Sequence, residues 1–396
     1  MLAERMKNLA GSQTSGMRNQ AKQLRERGVN VINFAAGELD LPTSPAIKQA
    51  VREAVDADRT QYTDTLGIRP LRERLAERVS RATGVPYSAE EVGVTAGAKQ
   101  ALYNAAMVLF DPGCEVIIPA PYWVTFPVQV VLAGARPVFL PTEHHQFQID
   151  LAELARLITP RTRGLILNTP HNPTGVVCDR PTLEGIAALA IQHDFTVIFD
   201  ECYEMLVYPP YAHHNLVRLV PEMKNRTVLV NSFSKTYCMT GWRAGFLSAP
   251  KQVIKAVGNL QGHVTSNPSN LAQYGALAAL DPVNDAFVKN VREVLATRRE
   301  RALKLVQQIP EIRCTVPQGA FYLFPDVSRL LGKHYQGKPL ATVGALAELL
   351  LEEAHVAVVA GSAFGSDRHV RISYAVATQD VEEGLLRIRQ FVESLE

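Results

Sequence analysis

Short apolar segments alternate with helix-like segments between residues 92 and 231, and this alternation constrains the fold more than any other feature. The apolar segments predict strands at 92–95, 115–118, 137–140, 164–168, 195–199 and 227–231. The segments between them predict helices at 98–109, 124–133, 151–158 and 182–193. Buried strands that alternate with helices form a mostly parallel sheet covered on both faces. The pattern therefore predicts an α/β fold.

The remaining sequence predicts a second, smaller unit. A long helix is expected at 284–308, and short strands at 312–316, 320–324, 356–359 and 369–374 are mixed with helices at 341–353 and 379–394. This mixture indicates an α+β domain, to which the N-terminal segment is expected to return. We expect an N-terminal arm with part of the small domain at 1–45, a large domain at 46–283 and a small C-terminal domain at 284–396.

Composition gives no sign of a nucleic-acid or membrane partner. The 396 residues include 41 basic and 39 acidic side chains, for a formal charge of +2. The five cysteines are scattered without a Cys-x-x-Cys pair, which fits a reducing compartment and argues against a zinc site. The N-terminus lacks the apolar segment of a signal peptide, and no apolar run approaches the roughly 20 residues that span a bilayer. We expect a cytoplasmic protein.

A polar loop follows the apolar segment at 227–231, and it contains Lys235. A lysine at the rim of a buried core can lose its proton and act as a nucleophile. Ser232, Ser234 and Arg243 are close in sequence and suited to bind an anion. Pyridoxal phosphate (PLP) needs such a set, because its aldehyde bonds to lysine and its phosphate to hydroxyl and guanidinium groups. Taken alone, these residues could also form an ordinary polar turn.

Ligands of open α/β sheets bind at the carboxyl ends of the strands, where further polar residues occur. Asp200 ends one apolar strand, and a carboxylate there needs a cationic partner such as a protonated pyridine nitrogen. Tyr203 is placed to donate to a phenolic oxygen, and Asn172 lies in a proline-flanked loop from which its amide can donate a fixed hydrogen bond. A tight turn is the alternative for Asn172.

Three other places in the sequence fit the same ligand. The Gly97-Ala98-Lys99 turn opens a predicted helix, whose free N–H groups bind phosphate, although a plain strand–helix turn has the same composition. Trp123 could stack on a planar ring or be a core aromatic. Arg371 lies within an apolar strand, and its planar fork suits a carboxylate unless it forms a structural ion pair.

Several short motifs occur in a fixed order along the chain. They are Gln-Tyr-Thr at 61–63, Gly-Ala-Lys-Gln-Ala-Leu at 97–102, Pro-Tyr-Trp-Val at 121–124, Asn-Pro-Thr-Gly at 172–175, Asp-Glu-x-Tyr at 200–203, Ser-Lys with Gly-Trp-Arg within 234–243, Gly-Ala-Phe-Tyr at 319–322 and Val-Arg-Ile-Ser-Tyr at 370–374. With these motifs the chain resembles the PLP-dependent aminotransferases of fold type I, class I/II, in their bacterial aspartate aminotransferase-like branch. The resemblance extends over nearly the whole sequence.

The resemblance implies a fold and a set of residue roles. The fold is a large domain with a mostly parallel, seven-stranded type of sheet between helices, plus a smaller α+β domain. Lys235 would bond to the PLP aldehyde, Asp200 would hold the ring nitrogen, Asn172 and Tyr203 the ring oxygen, and Trp123 would stack on the ring. The phosphate would be held by Gly97, Ala98, Lys99, Ser232, Ser234 and Arg243, with Tyr62 contributed by the neighbouring subunit of a homodimer. The substrate would be bound by Gly37, Trp123, Asn172 and Arg371, and Gly37 and Arg371 would hold its carboxylate.

The family pattern is broken in three places on the substrate side. Gly-Glu-Leu-Asp-Leu at 37–41 replaces the usual Gly-Glu-Pro-Asp-Phe, and Ala360 replaces a usual proline before Gly-Ser-x-Phe-Gly. Residues 12–18 are also unusual, and Arg18 is a candidate partner for a substrate side chain. These departures leave the amino donor open, between an aspartate-like amino acid and an aromatic or other one.

The expected reaction is transfer of an amino group between an L-amino acid and a 2-oxo acid by a ping-pong mechanism. Other fold type I enzymes, such as β-lyases, cyclases and amine oxidases, use the same cofactor residues and remain alternatives. A non-catalytic effector-binding domain is a remote alternative. Regulators of that kind carry an N-terminal DNA-binding domain. This chain is nearly neutral, and its fold is expected to start within the first thirty or so residues.

Overall fold

The computed structural model describes Leu2, Met6, Gly11 and residues 13–396. The expected N-terminal arm, including the unusual Ser12, therefore lies partly outside the described residues. The first helix that can be described is Gln13–Glu26. Among the described residues, no helix is both long enough and apolar enough to cross a membrane.

A seven-stranded sheet forms the centre of the molecule. In chain order its strands are β2 (Val92–Thr95), β3 (Glu115–Ala120), β4 (Arg136–Pro141), β5 (Thr162–Asn168), β6 (Thr196–Asp200), β7 (Thr227–Ser232) and β8 (Gly245–Ser248), which follow a two-residue strand β1 (Ile32–Asn33) outside the sheet. The spatial order is β2-β8-β7-β6-β5-β3-β4, and only β8 runs antiparallel to its neighbours. The predicted mostly parallel sheet is confirmed.

Helices cover both faces of this sheet. The helices up to the last strand of the sheet are α1 (Gln13–Glu26), α2 (Pro45–Asp56), α3 (Arg69–Thr83), α4 (Ala98–Leu109), α5 (Thr125–Leu132), α6 (Leu151–Leu157), α7 (Arg180–His193) and α8 (Leu216–Leu219). Alternate residues of one strand enter different cores, since Leu165 and Leu167 pack in one cluster and Ile166 in another. Apolar residues at every strand position are what a sheet buried on both faces requires.

The C-terminal third forms a separate core with small sheets. It is preceded by α9 (Lys251–Val264) and α10 (Asn270–Ala279). Its elements are α11 (Asp285–Val306), β9 (Tyr322–Leu323), β10 (His334–Tyr335), β11 (Lys338–Pro339), α12 (Val343–Glu352), β12 (Val356–Ala357), β13 (Val359–Ala360), β14 (Val370–Ser373) and α13 (Thr378–Glu393). Strand β1 pairs in parallel with β12, so the N-terminal segment packs with this part of the chain. The exact domain limits at residues 45 and 283 stay a prediction.

Two sequence-based expectations differ from the structure. Strand β8 was not expected, because it is four residues long, starts with a glycine and follows a polar loop. Its partners β2 and β7 are distant in sequence and form it by pairing on both sides. The strand expected at 312–316 is wrong, since only Arg313 forms a bridge there, to Asp326. Pro317 follows this segment and lacks the N–H group that would extend the pairing.

Candidate active site

A cavity of about 580 Å³ lies at the carboxyl ends of the central strands. The predicted residues that line it are Gly37, Ala98, Lys99, Trp123, Asn172, Asp200, Tyr203, Ser232, Ser234, Lys235, Arg243 and Arg371. The structure therefore brings together side chains from both parts of the chain, as the position of ligand sites in open α/β sheets predicts. The roles of these residues stay predictions.

Lys235 follows β7 and directs its Nζ toward the N-terminal segment. Nζ donates a hydrogen bond to the carbonyl oxygen of Gly37 and lies 6.0 Å from the ring of Tyr203 and 5.7 Å from that of Phe321. Burial lowers the pKa of the Lys235 ammonium to about 8. A substantial fraction of this amine is therefore neutral near pH 8 and able to act as a base or nucleophile.

Asp200 is the last residue of β6 and is 5% exposed. Its Oδ1 accepts a hydrogen bond from the backbone N–H of Cys202 at 3.1 Å. Burial raises the pKa of the Asp200 carboxyl to about 6. A carboxylate held at this position is suited to a cationic ligand group, because pairing would offset the cost of its burial.

Arg371 and Asn172 meet although they are 199 positions apart. Arg371 Nη1 donates to Asn172 Oδ1 at 3.1 Å, and Nη2 donates to the Ala35 carbonyl oxygen at 2.9 Å. Because its oxygen is engaged, Asn172 keeps its NH₂ group as a donor toward a ligand. The Arg371 Nε is buried and has no hydrogen-bond partner among the described residues.

Aromatic rings surround this guanidinium. The carbon at its centre lies 4.5 Å from the ring of Tyr322 and 5.0 Å from that of Phe364. The Tyr322 hydroxyl lies 2.9 Å from the Tyr203 hydroxyl, and a hydrogen bond joins them. Burial lowers the pKa of Arg371 from its usual value, yet such a strong base remains protonated at neutral pH. The site therefore holds a buried cation that is suited to an anionic ligand.

The turn before α4 forms a cradle with Arg243. Gly97 has φ +79°, and a Cβ added there would lie 2.7 Å from Arg243 Nη2. Arg243 itself donates to the carbonyl oxygens of Thr240 and Ala96 at 2.8 and 3.3 Å. Ser232 and Ser234, both 6% exposed, line the same cavity. Hydroxyl groups, a guanidinium and the start of a helix are the groups that bind a phosphate.

Lys99 and Trp123 form one wall of the cavity. Lys99 Nζ lies 5.0 Å from the centre of the Trp123 ring, and Trp123 packs edge-on against Phe126. Burial lowers the pKa of Lys99, and Arg243 lowers it further. Thr14, Ser15 and Arg18 of α1 also line the cavity.

Two predicted residues stand apart from the cavity lining. Gly97 is not among the described residues that line the cavity, but it lies close to Arg243, which does line it. Tyr62 is 89% exposed and borders a different depression, with Arg59 and Asn270. An exposed Tyr62 is what its predicted action on a neighbouring subunit requires, and that action stays a prediction.

Other residues at the site were given no role from the sequence. Tyr322, Cys202 and Glu38 line the cavity together with the predicted set. The Gly-Ala-Phe-Tyr motif at 319–322 was the available signal for Tyr322, and the glycine–acid pair at 37–38 was the signal for Glu38. Cys202 has no signal of its own, because one isolated cysteine in a sequence is uninformative.

Comparison with known proteins gives the family of this chain. The family model for aminotransferase class I and II matches residues 29–388. The chain belongs to the class I and II aminotransferases. It is 40% identical over 394 residues to the aspartate aminotransferase of Geobacillus stearothermophilus, with 99% of each chain covered. It is 39% identical over 396 residues to the probable aspartate/prephenate aminotransferase of Aquifex aeolicus, covering 100% of this chain and 99% of the relative.

Solved aminotransferase structures have the same fold. The aspartate aminotransferase of Thermus thermophilus with maleate superimposes with a TM-score of 0.92 at 38% identity, covering 98% of this chain and 99% of the other. The enzyme of Rhizobium meliloti gives a TM-score of 0.95 at 36% identity over 100% of both chains. The predicted fold type I architecture is thereby confirmed, as are the PLP dependence and the transfer of amino groups between amino acids and 2-oxo acids.

Proposed function

We propose that this aminotransferase uses a dicarboxylic L-amino acid such as aspartate as its amino donor. The observation that carries the proposal is the lining of the cavity, which places Arg371 and Arg18 around the same space as Lys235. The two carboxylates of such a substrate need two separate cationic side chains. Relatives named aspartate aminotransferase support the proposal, as does the Thermus enzyme solved with maleate, which is a dicarboxylate.

The residues at the site fit PLP. Lys235 would bond to its aldehyde, and Asp200 would pair with its ring nitrogen. Asn172 and Tyr203 would donate to its ring oxygen, and Trp123 would stack on the ring. The cradle of Gly97, Ala98, Lys99, Ser232, Ser234 and Arg243 would hold its phosphate, because these residues supply the donors and positive charge that a phosphate binds.

Lys235 is suited to transfer a proton during the reaction. When bound, PLP supplies an aldehyde that bonds reversibly to amines and a ring that withdraws electrons from the substrate's α-carbon. Lys235 would accept the α-proton as a general base, because its pKa of about 8 leaves about half of the amine unprotonated near pH 8. The carbonyl of Gly37 holds the Lys235 amine at the cavity wall through their hydrogen bond.

Arg371 would orient the substrate. Its fork is fixed by Asn172 and Ala35, and its Nε is unpaired among the described residues, so an α-carboxylate would add a charged hydrogen-bond partner. Gly37 borders the same space. A carboxylate held at Arg371 directs the α-carbon toward Lys235 and favours proton removal over loss of the carboxylate.

The assembly and the location of the enzyme are also proposals. An exposed Tyr62 supports a homodimer in which this side chain completes the phosphate site of the partner subunit. The near-neutral charge and the unpaired cysteines support a cytoplasmic location.

Single-turnover spectra test the donor. The PLP enzyme without a 2-oxo acid should lose its aldehyde absorbance once with L-aspartate, at a second-order rate at least about tenfold above that with L-alanine, because a second ion pair of about 1.4 kcal/mol gives tenfold. Arg18→Ala should reduce the rate with L-aspartate more than that with L-alanine. Lys22→Ala, an exposed change on the same helix, is the control. Equal rates for the two donors would contradict the proposal.

A further inference from the structure

Two histidines and two carboxylates lie close together in the segment that joins β4 to α6. His144 and His145 end a short 3₁₀ turn, Glu143–His145, which follows β4. Asp150 caps α6 and Glu153 lies in its first turn. These four residues are not among the described residues that line the active-site cavity. The reaction proposed above does not use them.

The donor atoms lie at nearly the spacing of a metal site. His144 Nε2 is 3.4 Å from Glu153 Oε2, and His145 Nε2 is 3.7 Å from Glu153 Oε1. One ligand atom from each of His144, His145 and Glu153 lies within 4.8 Å of the others. Tetrahedral ligands at zinc bond lengths of about 2.0–2.1 Å are separated by roughly 3.3 Å. Small side-chain adjustments would therefore bring all three onto one ion.

Asp150 is placed to add a fourth ligand. Its Oδ1 accepts the backbone N–H of Glu153 at 2.8 Å, which fixes the carboxylate at the start of α6. Its Oδ2 lies 3.9 Å from His145 Nε2. The cap thus uses one oxygen and leaves the other near His145. Arg156 Nη2 lies 3.9 Å from Glu153 Oε1, but the Arg156 side chain is 73% exposed and can turn away.

The backbone around these ligands is held in place. His145 N–H and Phe147 N–H donate to the Thr142 carbonyl oxygen at 3.1 and 2.8 Å, and Gln148 N–H donates to that of His145 at 3.0 Å. The two histidine rings lie 4.7 Å apart between centroids. A turn that already presents adjacent imidazoles on one side loses little conformational entropy when a metal binds.

We propose that His144, His145, Glu153 and Asp150 form a site for a divalent transition-metal ion of the zinc type. Imidazole nitrogens select zinc, nickel or copper over the hard cations magnesium and calcium, which prefer oxygen ligands only. The ion clips the turn at 143–145 to α6. The loop so fixed contains Phe147, which packs edge-on against Phe324 and His369. The site is structural and stabilises the loop behind the strand of Arg371.

Zinc titration of the PLP-loaded enzyme tests this site. Isothermal calorimetry in the absence of amino acids should show one Zn²⁺ bound per chain, and Zn²⁺ should raise the midpoint of thermal unfolding while Mg²⁺ should not. His144→Ala/His145→Ala should abolish saturable binding. Glu153→Gln and Asp150→Asn, which keeps the capping oxygen, should each weaken it, by at least about tenfold for Glu153→Gln.

His193→Ala is the matched control, since it removes an exposed histidine from another helix end. It should bind Zn²⁺ as the wild type does. All variants should keep the cofactor absorbance and the zinc-free unfolding midpoint of the wild type, which excludes misfolding as the cause of lost binding. Wild-type protein that binds no stoichiometric Zn²⁺, or equal binding by the double-histidine variant, would overturn the proposal.

Discussion

Asp200 is the residue at which stability and function oppose each other most directly. Its carboxyl has a pKa of about 6 in the folded, ligand-free chain, against about 3.9 for an unperturbed aspartate. Between these two values the folded state binds more protons than the unfolded state. Stability of the chain without cofactor therefore falls as pH rises through this window, since the buried group must ionise.

We expect Asp200→Asn to stabilise the cofactor-free enzyme more at pH 8 than at pH 4. The gain in unfolding free energy over the wild type should differ between the two pH values by up to roughly 3 kcal/mol, since the pKa is shifted by about two units. The asparagine oxygen can still accept the Cys202 N–H, so the local structure is kept. Unfolding midpoints of the apoenzyme at both pH values measure the difference. The same variant should lose most transaminase activity, because the ring nitrogen loses its charge partner.

Near-normal turnover of Asp200→Asn would contradict the role of this carboxylate. A stability difference between variant and wild type that does not change with pH would contradict the raised pKa. Lys235 and Glu201 are the other charged groups acting on Asp200, and they shift its pKa in opposite directions.

The limit of sequence reasoning at this scale is visible at Arg371. The apolar strand around it showed that a buried guanidinium needed a partner. The sequence could not show that Asn172 and the Ala35 carbonyl share that role, because both partners are brought near only by tertiary packing. Tyr322 was likewise placed over Arg371 by the pairing of β9 with β14.

At the scale of elements, one ion pair connects the N-terminal active-site segment to helix α11. Arg298 Nη1 and Nη2 donate to the two oxygens of Asp40 at 2.7 and 3.0 Å, and Arg298 is 6% exposed. Asp40 follows Gly37, whose carbonyl accepts the Lys235 hydrogen bond, by three positions. The pair therefore holds a segment of the cavity wall against a helix of the C-terminal part.

We expect Asp40→Ala to destabilise the enzyme by about 1–3 kcal/mol, because it leaves the buried Arg298 unpaired while Asp40 itself is partly exposed. Asp40→Ala/Arg298→Met should be more stable than Asp40→Ala alone, since it removes the orphaned charge. Thermal midpoints and kcat/KM measure both effects.

The control is Glu382→Ala, which removes an exposed ion pair with Arg301 of the same helix. Its effect should stay within about 0.5 kcal/mol, because surface pairs contribute little. If Asp40→Ala were as mild as this control, the pair would not stabilise the segment.

Elements were predictable where their own residues determine them. The parallel strands are continuous apolar segments between helices, so their pattern is local. Strand β8 was missed because its four residues form a strand only through pairing with β2 and β7. The strand expected at 312–316 was wrong for the opposite reason. Its residues have a strand-like pattern, but only Arg313 has a pairing partner.

At the scale of the whole molecule, the chain as a single subunit leaves a predicted cofactor contact outside its own cavity. Tyr62 is 89% exposed, whereas Lys235 lines the cavity. The resemblance to the family implies a phosphate contact for Tyr62, yet this side chain borders a depression with Arg59 and Asn270 instead. The phosphate contact proposed for Tyr62 therefore requires a second copy of the chain.

Mixing one weakened and one inactive variant tests this arrangement. Tyr62→Ala should bind PLP more weakly and turn over slowly, because the phosphate loses one donor, and Lys235→Ala should bind PLP without turnover, because the base is lost. In a mixed dimer, one of the two sites combines an intact Tyr62 from one subunit with an intact Lys235 from the other. Random exchange between equal amounts of the two variants makes about half of all dimers heterodimers, and each heterodimer should have one working site.

Differently tagged subunits allow the heterodimer to be purified and its activity to be measured against each parent. The heterodimer is expected to be more active than both parent homodimers. Tyr211→Ala is a suitable control, since it removes an exposed tyrosine from elsewhere on the surface. Subunit exchange is verified by recovery of both tags in one species. If the verified heterodimer is no more active than the parents, Tyr62 and Lys235 do not act together across subunits, because no other pairing of these two variants leaves both residues intact at one site.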